Sequence, residues 1–482
     1  MVDLRPVGYV IGLLVAALGA TMLVPMALDL LAGDDNGYIF LETALIAGLA
    51  GGALALACAN SVGTGLSLQQ VFLLTTLTWT VLPAFGALPF VLGAPAAGFL
   101  DAYFEAMSGM TTTGTTVFTG LDAMPAGTLM WRSILQWLGG LGIIIVALVF
   151  LPVMKVGGMQ YFQAEGFDTL GKILSRALDI SSALLYIYIG MTALCAAAYM
   201  AVGMGGLDAV NHALTTIATG GFSTSDASFA KFAGPAEYVA VLFMIASGLP
   251  FIRYVQLVRG SARPLLGDMQ VRAYVRWVFY AVALVALYRA FTDAPAIELN
   301  IRQSAFNVVS LFSGTGYGSA DVASWGAFPL VVVLVAGFIG ACTASTGCSV
   351  KVFRYLVLFE AIKTELRRIL SPNRVTTVRL EGRPLSPDVI NAVIAFLFLF
   401  LATFCVIAVL LSLTGLETRT AVTAAWTAIG NIGPAFGSEV GPTGAVDGFP
   451  PAAKWVMILA MLLGRLELIS VLILLLPRFW RN

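Results

Sequence analysis

Four short runs, each with a central glycine, recur along the chain and are its strongest candidates for chemistry. Their sequences are TTTGT (111–115), ATGGF (218–222), GTGYG (314–318) and NIGPA (431–435). Glycine allows backbone of positive φ, which can point successive carbonyl oxygens to one side, and threonine adds a hydroxyl oxygen. A ring of such oxygens can replace the water shell of a cation. The runs therefore predict cation binding by backbone oxygens.

Side chains that usually carry catalysis or hold metals are sparse in this sequence. His212 is the single histidine, and the five cysteines are scattered, mostly through apolar stretches. Buried free cysteines usually behave as small hydrophobes. No histidine-based triad or zinc site can be assembled from this set. The sequence therefore predicts that the chain is not an enzyme.

Two features inside apolar segments also need an explanation. The run GACTASTGCSVK (340–351) places small and hydroxylated residues where a membrane helix would have its centre, and Arg465 lies inside the last apolar segment. An arginine at mid-membrane costs at least about 2.5–3.5 kcal/mol on insertion scales. Glu467 is a poor partner for it, because helical residues two apart do not face each other.

The composition indicates that these residues are positioned by membrane-spanning helices. The chain is 59% hydrophobic and 11% charged, whereas a soluble domain has roughly 25% charged residues. A helix needs about 20 apolar residues to cross the bilayer. Ten stretches qualify, near 8–32, 38–60, 69–93, 129–154, 179–203, 236–258, 271–292, 327–358, 386–414 and 452–477.

Four shorter apolar segments directly precede the four glycine runs. They lie near 97–110, 205–217, 299–313 and 418–429 and are too short to cross. Irregular backbone at membrane depth is tolerated only where it lines a protein cavity. We therefore predict re-entrant pore helices, in an order of span, pore helix, loop and span that occurs four times.

This repeat divides the chain into five predicted units. An N-terminal two-helix domain covers 1–62, and four pore repeats cover 63–160, 161–262, 263–376 and 377–482. The predicted fold is an all-α integral membrane protein with its four repeats in a pseudo-fourfold arrangement. The central glycines Gly114, Gly220, Gly316 and Gly433 would meet at the axis.

The basic residues predict the orientation. The loops at 155–178, 253–276 and 351–385, together with the two termini, hold 19 of the 26 Lys and Arg. The positive-inside rule places that side, and therefore both termini, in the cytoplasm. The glycine runs then enter from outside, where 12 of the 26 acidic residues also lie. These carboxylates either attract cations or merely solvate the outer loops. A net charge of zero gives no indication of nucleic-acid binding.

Five motifs in combination carry a family resemblance over the whole chain. They are MSGMTTTGTT (107–116), TIATGGFSTSDASF (216–229), SLFSGTGYGSA (310–320), AWTAIGNIGP (425–434) and MLLGRLEL (461–468). The sequence resembles the TrkH/TrkG subfamily of the Trk/Ktr/HKT potassium transporter superfamily. The run GTGYG also differs by only two residues from the potassium-channel filter TVGYG. The resemblance implies potassium uptake across the bacterial inner membrane through a gated, channel-like selectivity filter.

The resemblance also implies the potassium ligands, which are carbonyl groups of each central glycine and of the two residues before it. Relatives that favour sodium have serine at the first filter glycine, so Gly114 predicts a preference for potassium. K⁺ would be the only metal bound, with no organic cofactor. The implied ligands are Thr112, Thr113, Gly114, Ala218, Thr219, Gly220, Gly314, Thr315, Gly316, Asn431, Ile432 and Gly433.

A gate below the filter is implied as well. In the family, an intramembrane loop meets a positive charge of the last span, which here is Arg465. Family loops are usually richer in glycine than 340–351, which has Ala344, Cys348 and Ser349 where glycine is common. A small-residue packing surface and a salt bridge to another span remain the alternatives. The implied gate residues are Gly340, Thr343, Ser345, Thr346, Gly347, Lys351 and Arg465.

The family's assemblies imply two partners, a second copy in a homodimer and a cytoplasmic RCK-type nucleotide-binding subunit similar to TrkA. The main competing hypothesis is a Na⁺- or H⁺-coupled secondary transporter of another solute, although such folds usually have two inverted halves rather than four repeats of one sense. A membrane-embedded enzyme is the third hypothesis, and it lacks an acid, base or nucleophile cluster. The sequence leaves open whether ion flux is coupled.

Overall fold

The computed structural model describes residues 3–61, 66–146, 177–293, 295–373 and 376–480. Within those ranges the regular structure is helical apart from one antiparallel hairpin of Arg379–Leu380 and Arg383–Pro384. The α-helices are Arg5–Thr21, Leu23–Ala32, Asn36–Ala57, Leu68–Gly86, Leu88–Leu92, Phe99–Met110, Ala126–Ile145, Ala177–Ala201, Gly206–Ile217, Pro235–Ser247, Phe251–Val258, Arg263–Gly267, Met269–Thr292, Ile297–Ser313, Ala327–Ile339, Val352–Leu370, Pro387–Leu413, Thr418–Gly430, Pro451–Arg465 and Ile469–Leu472.

The spans follow the sequence-based map with two corrections. Among the described residues, seven helices are long and apolar enough to cross a membrane, and two bent helix pairs also qualify. The spans predicted at 236–258 and 452–477 are these bent pairs, with angles of 95° and 106°. The first helix ends at Ser247, and Pro250, which lacks a backbone donor, lies in the break directly before the next helix. The second bend follows Arg465, where Glu467 and Leu468 adopt positive φ.

The four predicted pore helices are confirmed as short helices enclosed by protein. They are Phe99–Met110, Gly206–Ile217, Ile297–Ser313 and Thr418–Gly430. Most side chains of their C-terminal halves are buried. The pore helices are therefore surrounded by protein and not by lipid. The backbone beyond each helix can depart from helical geometry for that reason.

The run at 340–351 interrupts the span predicted at 327–358, as expected. A helix ends at Ile339 and the next begins at Val352, and the residues between them are irregular. The end of the span predicted at 129–154 lies outside the described residues, as do the domain boundaries near 62 and 160 and the basic residues of 155–176.

The N-terminal helices pack on each other through close backbone contact, and on the first repeat through one buried carboxylate. Gly12 and Gly51 face each other so closely that a methyl group on either would clash with the opposite backbone, as is common between membrane helices. Asp29 accepts hydrogen bonds from the Asn36 amide at 2.7 Å and from the Gly127 N–H at 2.5 Å. This carboxylate thereby satisfies a free N–H at the start of helix Ala126–Ile145.

Candidate functional site

Each pore helix ends in the same backbone turn. A residue of left-handed conformation follows the helix, and the next N–H donates back to a carbonyl in the last turn. The left-handed residues are Thr112 (φ 51°), Thr219 (52°), Gly314 (79°) and Asn431 (48°). The hydrogen bonds join Thr113 to Ser108, Gly220 to Thr215, Thr315 to Ser310 and Ile432 to Thr427, at 2.8 to 3.1 Å. The four loops therefore share one backbone register.

A second left-handed residue follows in each loop, and it is always glycine. These residues are Gly114 (φ 87°), Gly221 (77°), Gly316 (84°) and Gly433 (116°). A Cβ on each of the first three would clash with a carbonyl oxygen of the next repeat, and one on Gly433 would lie 3.0 Å from the Thr113 carbonyl oxygen of the first. The contacts form a closed cycle, so the four loops surround one pseudo-fourfold axis. The carbonyl partners are Gly220, Thr315, Ile432 and Thr113.

The second loop corrects the sequence-based register by one residue. Its counterpart of Gly114 is Gly221, and the predicted central glycine, Gly220, corresponds to Thr113. Ala218 has helical φ and ψ of −72° and −12° and caps the pore helix. The run ATGGF contains two adjacent glycines, and the pattern alone does not tell which one has positive φ. The segment that belongs to the ring is therefore Thr219, Gly220 and Gly221.

The outer end of the ring opens into two connected depressions. A cavity of about 160 Å³ is lined by one glycine from each loop, namely Gly114, Gly221, Gly316 and Gly433. A wider cavity of about 760 Å³ shares Gly316 and Pro434 with it and is lined by Asp226, Asp321, Glu417 and Arg419. Three carboxylates and one guanidinium leave this vestibule with a negative excess, which raises the local concentration of cations.

One outer carboxylate is held anionic by a neighbouring ammonium. The Asp122 carboxylate lies 2.8 Å from the Lys231 Nζ, and this hydrogen bond lowers the pKa of Asp122. Asp122 also accepts a hydrogen bond from the Asp226 N–H at 3.1 Å. The contacts tie the loops that follow the first and second filter segments to each other.

Sequence reasoning missed several side chains that support the ring. The Gln136 amide donates to the Gly220 carbonyl at 2.6 Å and accepts from the Phe222 N–H at 3.1 Å. The Asn431 amide donates to the Thr113 hydroxyl at 2.9 Å and so joins the fourth loop to the first. The Tyr317 hydroxyl contacts Thr215 on the second pore helix. The sequence signal that could have revealed the Gln136 contacts is a glutamine inside an apolar span.

The run 340–351 lies directly beneath the ring. The Cys348 Sγ is 3.8 Å from the Thr112 hydroxyl, and the Ser349 hydroxyl donates to the Gly430 carbonyl at 3.1 Å. Gly347 packs so closely under the third pore helix that a Cβ there would lie 2.9 Å from the Ser313 carbonyl oxygen. The segment is buried among all four repeats and covers the inner end of the candidate path.

Other predicted gate residues hold this run to its surroundings. The Thr346 hydroxyl donates to the Ser247 carbonyl at 3.1 Å, and the Thr343 N–H donates to the Gln270 side chain at 3.0 Å. The Ser345 hydroxyl bonds within the run. Four residues of the run have positive φ, namely Gly340 (73°), Ala344 (61°), Ser349 (69°) and Lys351 (75°).

Arg465 ends its helix with a buried guanidinium directed at this run. Its guanidinium donates to the Cys348 Sγ at 2.6 Å, to the Thr346 carbonyl at 3.4 Å and to the Gly139 carbonyl at 3.1 Å. Only 3% of the residue is exposed. The positive charge therefore lies just below the ring and bridges the run to the first repeat.

Glu467 lies beyond the end of the helix and pairs with two cations other than Arg465, so the helical spacing argument does not apply to it. Its carboxylate lies 3.7 Å from the Lys351 Nζ and contacts the Arg354 guanidinium directly. Arg354 in turn stacks on the Phe396 ring at 3.6 Å. The cluster of Lys351, Arg354, Arg465 and Glu467 carries three cationic side chains for one carboxylate, so the inner end of the path is positive.

Among the described residues, seven membrane-length helices, two bent helix pairs, four buried pore helices and a closed backbone ring define the class of protein. The arrangement, with a negative outer vestibule and a ring of backbone oxygens, is that of a membrane protein that moves cations between re-entrant loops.

Comparison with known proteins gives the family. The chain belongs to the TrkH family of cation transport proteins, whose family model matches residues 38–481. It is 38% identical to the Trk system potassium uptake protein TrkI of Halomonas elongata over 480 residues, 99% of this chain and 97% of that protein. It is 35% identical to the potassium uptake protein TrkH of Escherichia coli K12 over 484 residues, covering 99% of each. The crystal structure of the potassium transporter TrkH from Vibrio parahaemolyticus superposes with a TM-score of 0.91 at 33% identity, covering 100% of both chains.

Proposed function

We propose that this chain takes up potassium across the bacterial inner membrane through a gated, channel-like selectivity filter. The observation that carries the proposal is the closed cycle in which each ring glycine lies against a carbonyl of the next repeat. The relatives named as potassium uptake proteins, matched over nearly their full length, support the same ion. Both termini are then cytoplasmic, in agreement with the distribution of basic loops.

The potassium ligands in this proposal are backbone oxygens of the four filter segments, with the second segment in its corrected register. The four pore helices also direct their partially negative C-terminal ends at the centre, which favours a cation. The ligating segments are Thr112, Thr113, Gly114, Thr219, Gly220, Gly221, Gly314, Thr315, Gly316, Asn431, Ile432 and Gly433.

The gate in this proposal is the run 340–351 together with Arg465. The run occupies the space below Thr112 and Gly314, so a potassium ion leaving the filter would meet it. The Arg465 charge adds an electrostatic barrier at the same level. Conduction then requires the run to move away from the filter and Arg465 to lose its contacts with Cys348 and Thr346.

Two partners complete the proposal, a second copy of the chain and a cytoplasmic RCK-type subunit similar to TrkA. Helix Val352–Leu370 supports the second partner. It begins where the gate run ends and carries the exposed Arg367 and Arg368 near its C-terminus. A subunit that pulls on this helix would act directly on the run.

Ion flux in proteoliposomes tests the function. We expect the purified chain to take up Rb⁺ and K⁺ well above protein-free liposomes, and Na⁺ much less, with no gradient of H⁺ or any other solute. Uptake that requires a Na⁺ or H⁺ gradient would indicate the coupled transporter instead. Na⁺ uptake equal to or above Rb⁺ uptake would contradict potassium selectivity.

A further inference from the structure

A fully buried ion pair stands behind the outer ends of two neighbouring filter segments. Glu105 lies on the first pore helix and Arg132 on the following span, with side chains 0% and 1% exposed. The Arg132 Nε is 2.8 Å from the Glu105 Oε1. Charges removed from water in this way need several well-oriented partners, and both groups have them.

The Glu105 carboxylate holds the irregular segment that follows the first filter segment. The Glu105 Oε2 accepts the Val117 N–H at 3.0 Å, and the Oε1 accepts the Thr116 hydroxyl at 2.9 Å. These two residues follow Gly114 and Thr115, which line the outer mouth. A shift of the carboxylate would therefore move the outer end of the first segment.

The guanidinium extends this hold to the second segment. Arg132 Nη1 donates to the Ser223 carbonyl at 2.8 Å, and the guanidinium stacks on the Phe222 ring at 4.2 Å. Phe222 and Ser223 directly follow Gly221. The ion pair thus joins the segments that follow the first and second filter segments, on the side of the ring that faces away from the axis.

The other repeats have neutral groups in the corresponding place. In the common backbone register, Glu105 corresponds to His212, Asn307 and Ala424, each eight residues before the N–H that caps its pore helix. His212 Nε2 is 3.0 Å from the Ser223 Oγ, and the Asn307 Oδ1 accepts the Ser319 N–H at 3.1 Å. In the fourth repeat Thr423 accepts the Phe436 N–H at 2.9 Å. Every repeat anchors the segment that follows its filter, and among the described residues the first repeat alone does so with an ion pair that reaches the next loop.

We propose that Glu105 and Arg132 are positioning residues that set the discrimination between potassium and sodium by fixing the spacing of the first and second filter segments. The proposal rests on the potassium conduction proposed above. Sodium is smaller than potassium, so a ring that can contract supplies sodium with closer oxygens. The ion pair opposes that contraction because the planar guanidinium of Arg132 is held between the two loop segments at fixed distances.

The test is the ratio of Rb⁺ to Na⁺ uptake in proteoliposomes of the full chain carrying Arg132→Lys. Lysine keeps the charge for Glu105 but cannot also reach the Ser223 carbonyl and stack on Phe222. We expect the ratio to fall about tenfold, which corresponds to about 1.4 kcal/mol, while total cation uptake falls much less.

The matched control is Lys454→Arg. Lys454 forms an ion pair at 2.7 Å with Asp101, which lies on the same pore helix as Glu105 but toward the last repeat. We expect this variant to keep the wild-type ratio. An equal fall in both variants would show that any ion pair on this helix has the same effect, and would overturn the proposal.

Glu105→Gln provides a second variant in case Arg132→Lys does not fold. Glutamine keeps an acceptor for the Val117 N–H but removes the charge that orients Arg132, so the ratio should again fall. A folded variant of either kind with the wild-type ratio contradicts the proposal. Wild-type protein without Rb⁺ uptake would instead contradict the proposed function itself, and the two failures are thereby distinguished.

Discussion

At the scale of single residues, the ring depends on glycines that no other residue can replace without strain. Each ring glycine has positive φ and lies against a neighbouring carbonyl, so a side chain fails on both grounds. The first left-handed position tolerates Thr112, Thr219 and Asn431, because it lies at the end of the helix where space remains. The two positions of one loop therefore follow different rules.

The GTGYG run offers a direct comparison of these rules. Gly316 has a φ of 84° and a Cβ would clash with the Ile432 carbonyl, whereas Gly318 has open space around it. We expect Gly316→Ala to abolish Rb⁺ uptake and Gly318→Ala to retain most of it, with flux measured in proteoliposomes. Equal uptake by the two variants would show that Gly316 does not shape the filter.

The gate run holds non-glycine residues in the left-handed region, where they cost about 1–3 kcal/mol each. Ala344 has a φ of 61° and is buried. Ala344→Gly should stabilise the protein by about 1 kcal/mol and raise its Tm. The control is Ala341→Gly in the same run, where φ is not positive and a buried methyl group is lost, so the Tm should fall. A lower Tm for Ala344→Gly would contradict strain at this position.

At the scale of elements, the pore helices were predictable and their loops only partly so. Short apolar segments before glycine runs located all four pore helices to within about two residues, because length and polarity are local signals. The register of the second loop was missed because ATGGF offers two glycines and only tertiary contacts with Thr315 choose Gly221.

Pro250 was a local signal for the first bend, whereas the contacts of the side chains around the second bend could not be read from the sequence. Arg465 and Glu467 interrupt the apolar run of the last span, but no proline marks the bend that follows Arg465. The pairing of Glu467 with Lys351 and Arg354 joins residues more than 110 positions apart. Contacts of that kind follow from how the repeats assemble.

The inner barrier combines a loop and a helix end, and the charge of Arg465 can be tested separately. Arg465→Gln keeps much of the volume and some donors but removes the positive charge, so we expect Rb⁺ uptake without the cytoplasmic partner to rise several-fold. Arg272→Gln, at an exposed position on the predicted cytoplasmic side, is the control and should leave uptake unchanged. Unchanged uptake in a folded Arg465→Gln variant would argue against the barrier.

At the scale of the whole molecule, the orientation in the membrane follows from charge, and labelling can check it. Ser324 is exposed beside the vestibule, and Ser261 is exposed in the basic loop between two spans. A membrane-impermeant maleimide added to intact cells should label a Ser324→Cys variant. A Ser261→Cys variant should react only after permeabilisation, and the reverse pattern would invert the proposed topology.

The central claim is that potassium passes through the ring formed by Gly114, Gly221, Gly316 and Gly433. Its most direct test is the anomalous scattering of Rb⁺ in crystals of this protein grown with rubidium in place of potassium. We expect a peak on the pseudo-fourfold axis, coordinated by carbonyl oxygens of all four filter segments and including Gly220 and Gly221 of the second. Rubidium absent from the axis, or bound only at side-chain carboxylates of the vestibule, would contradict the account.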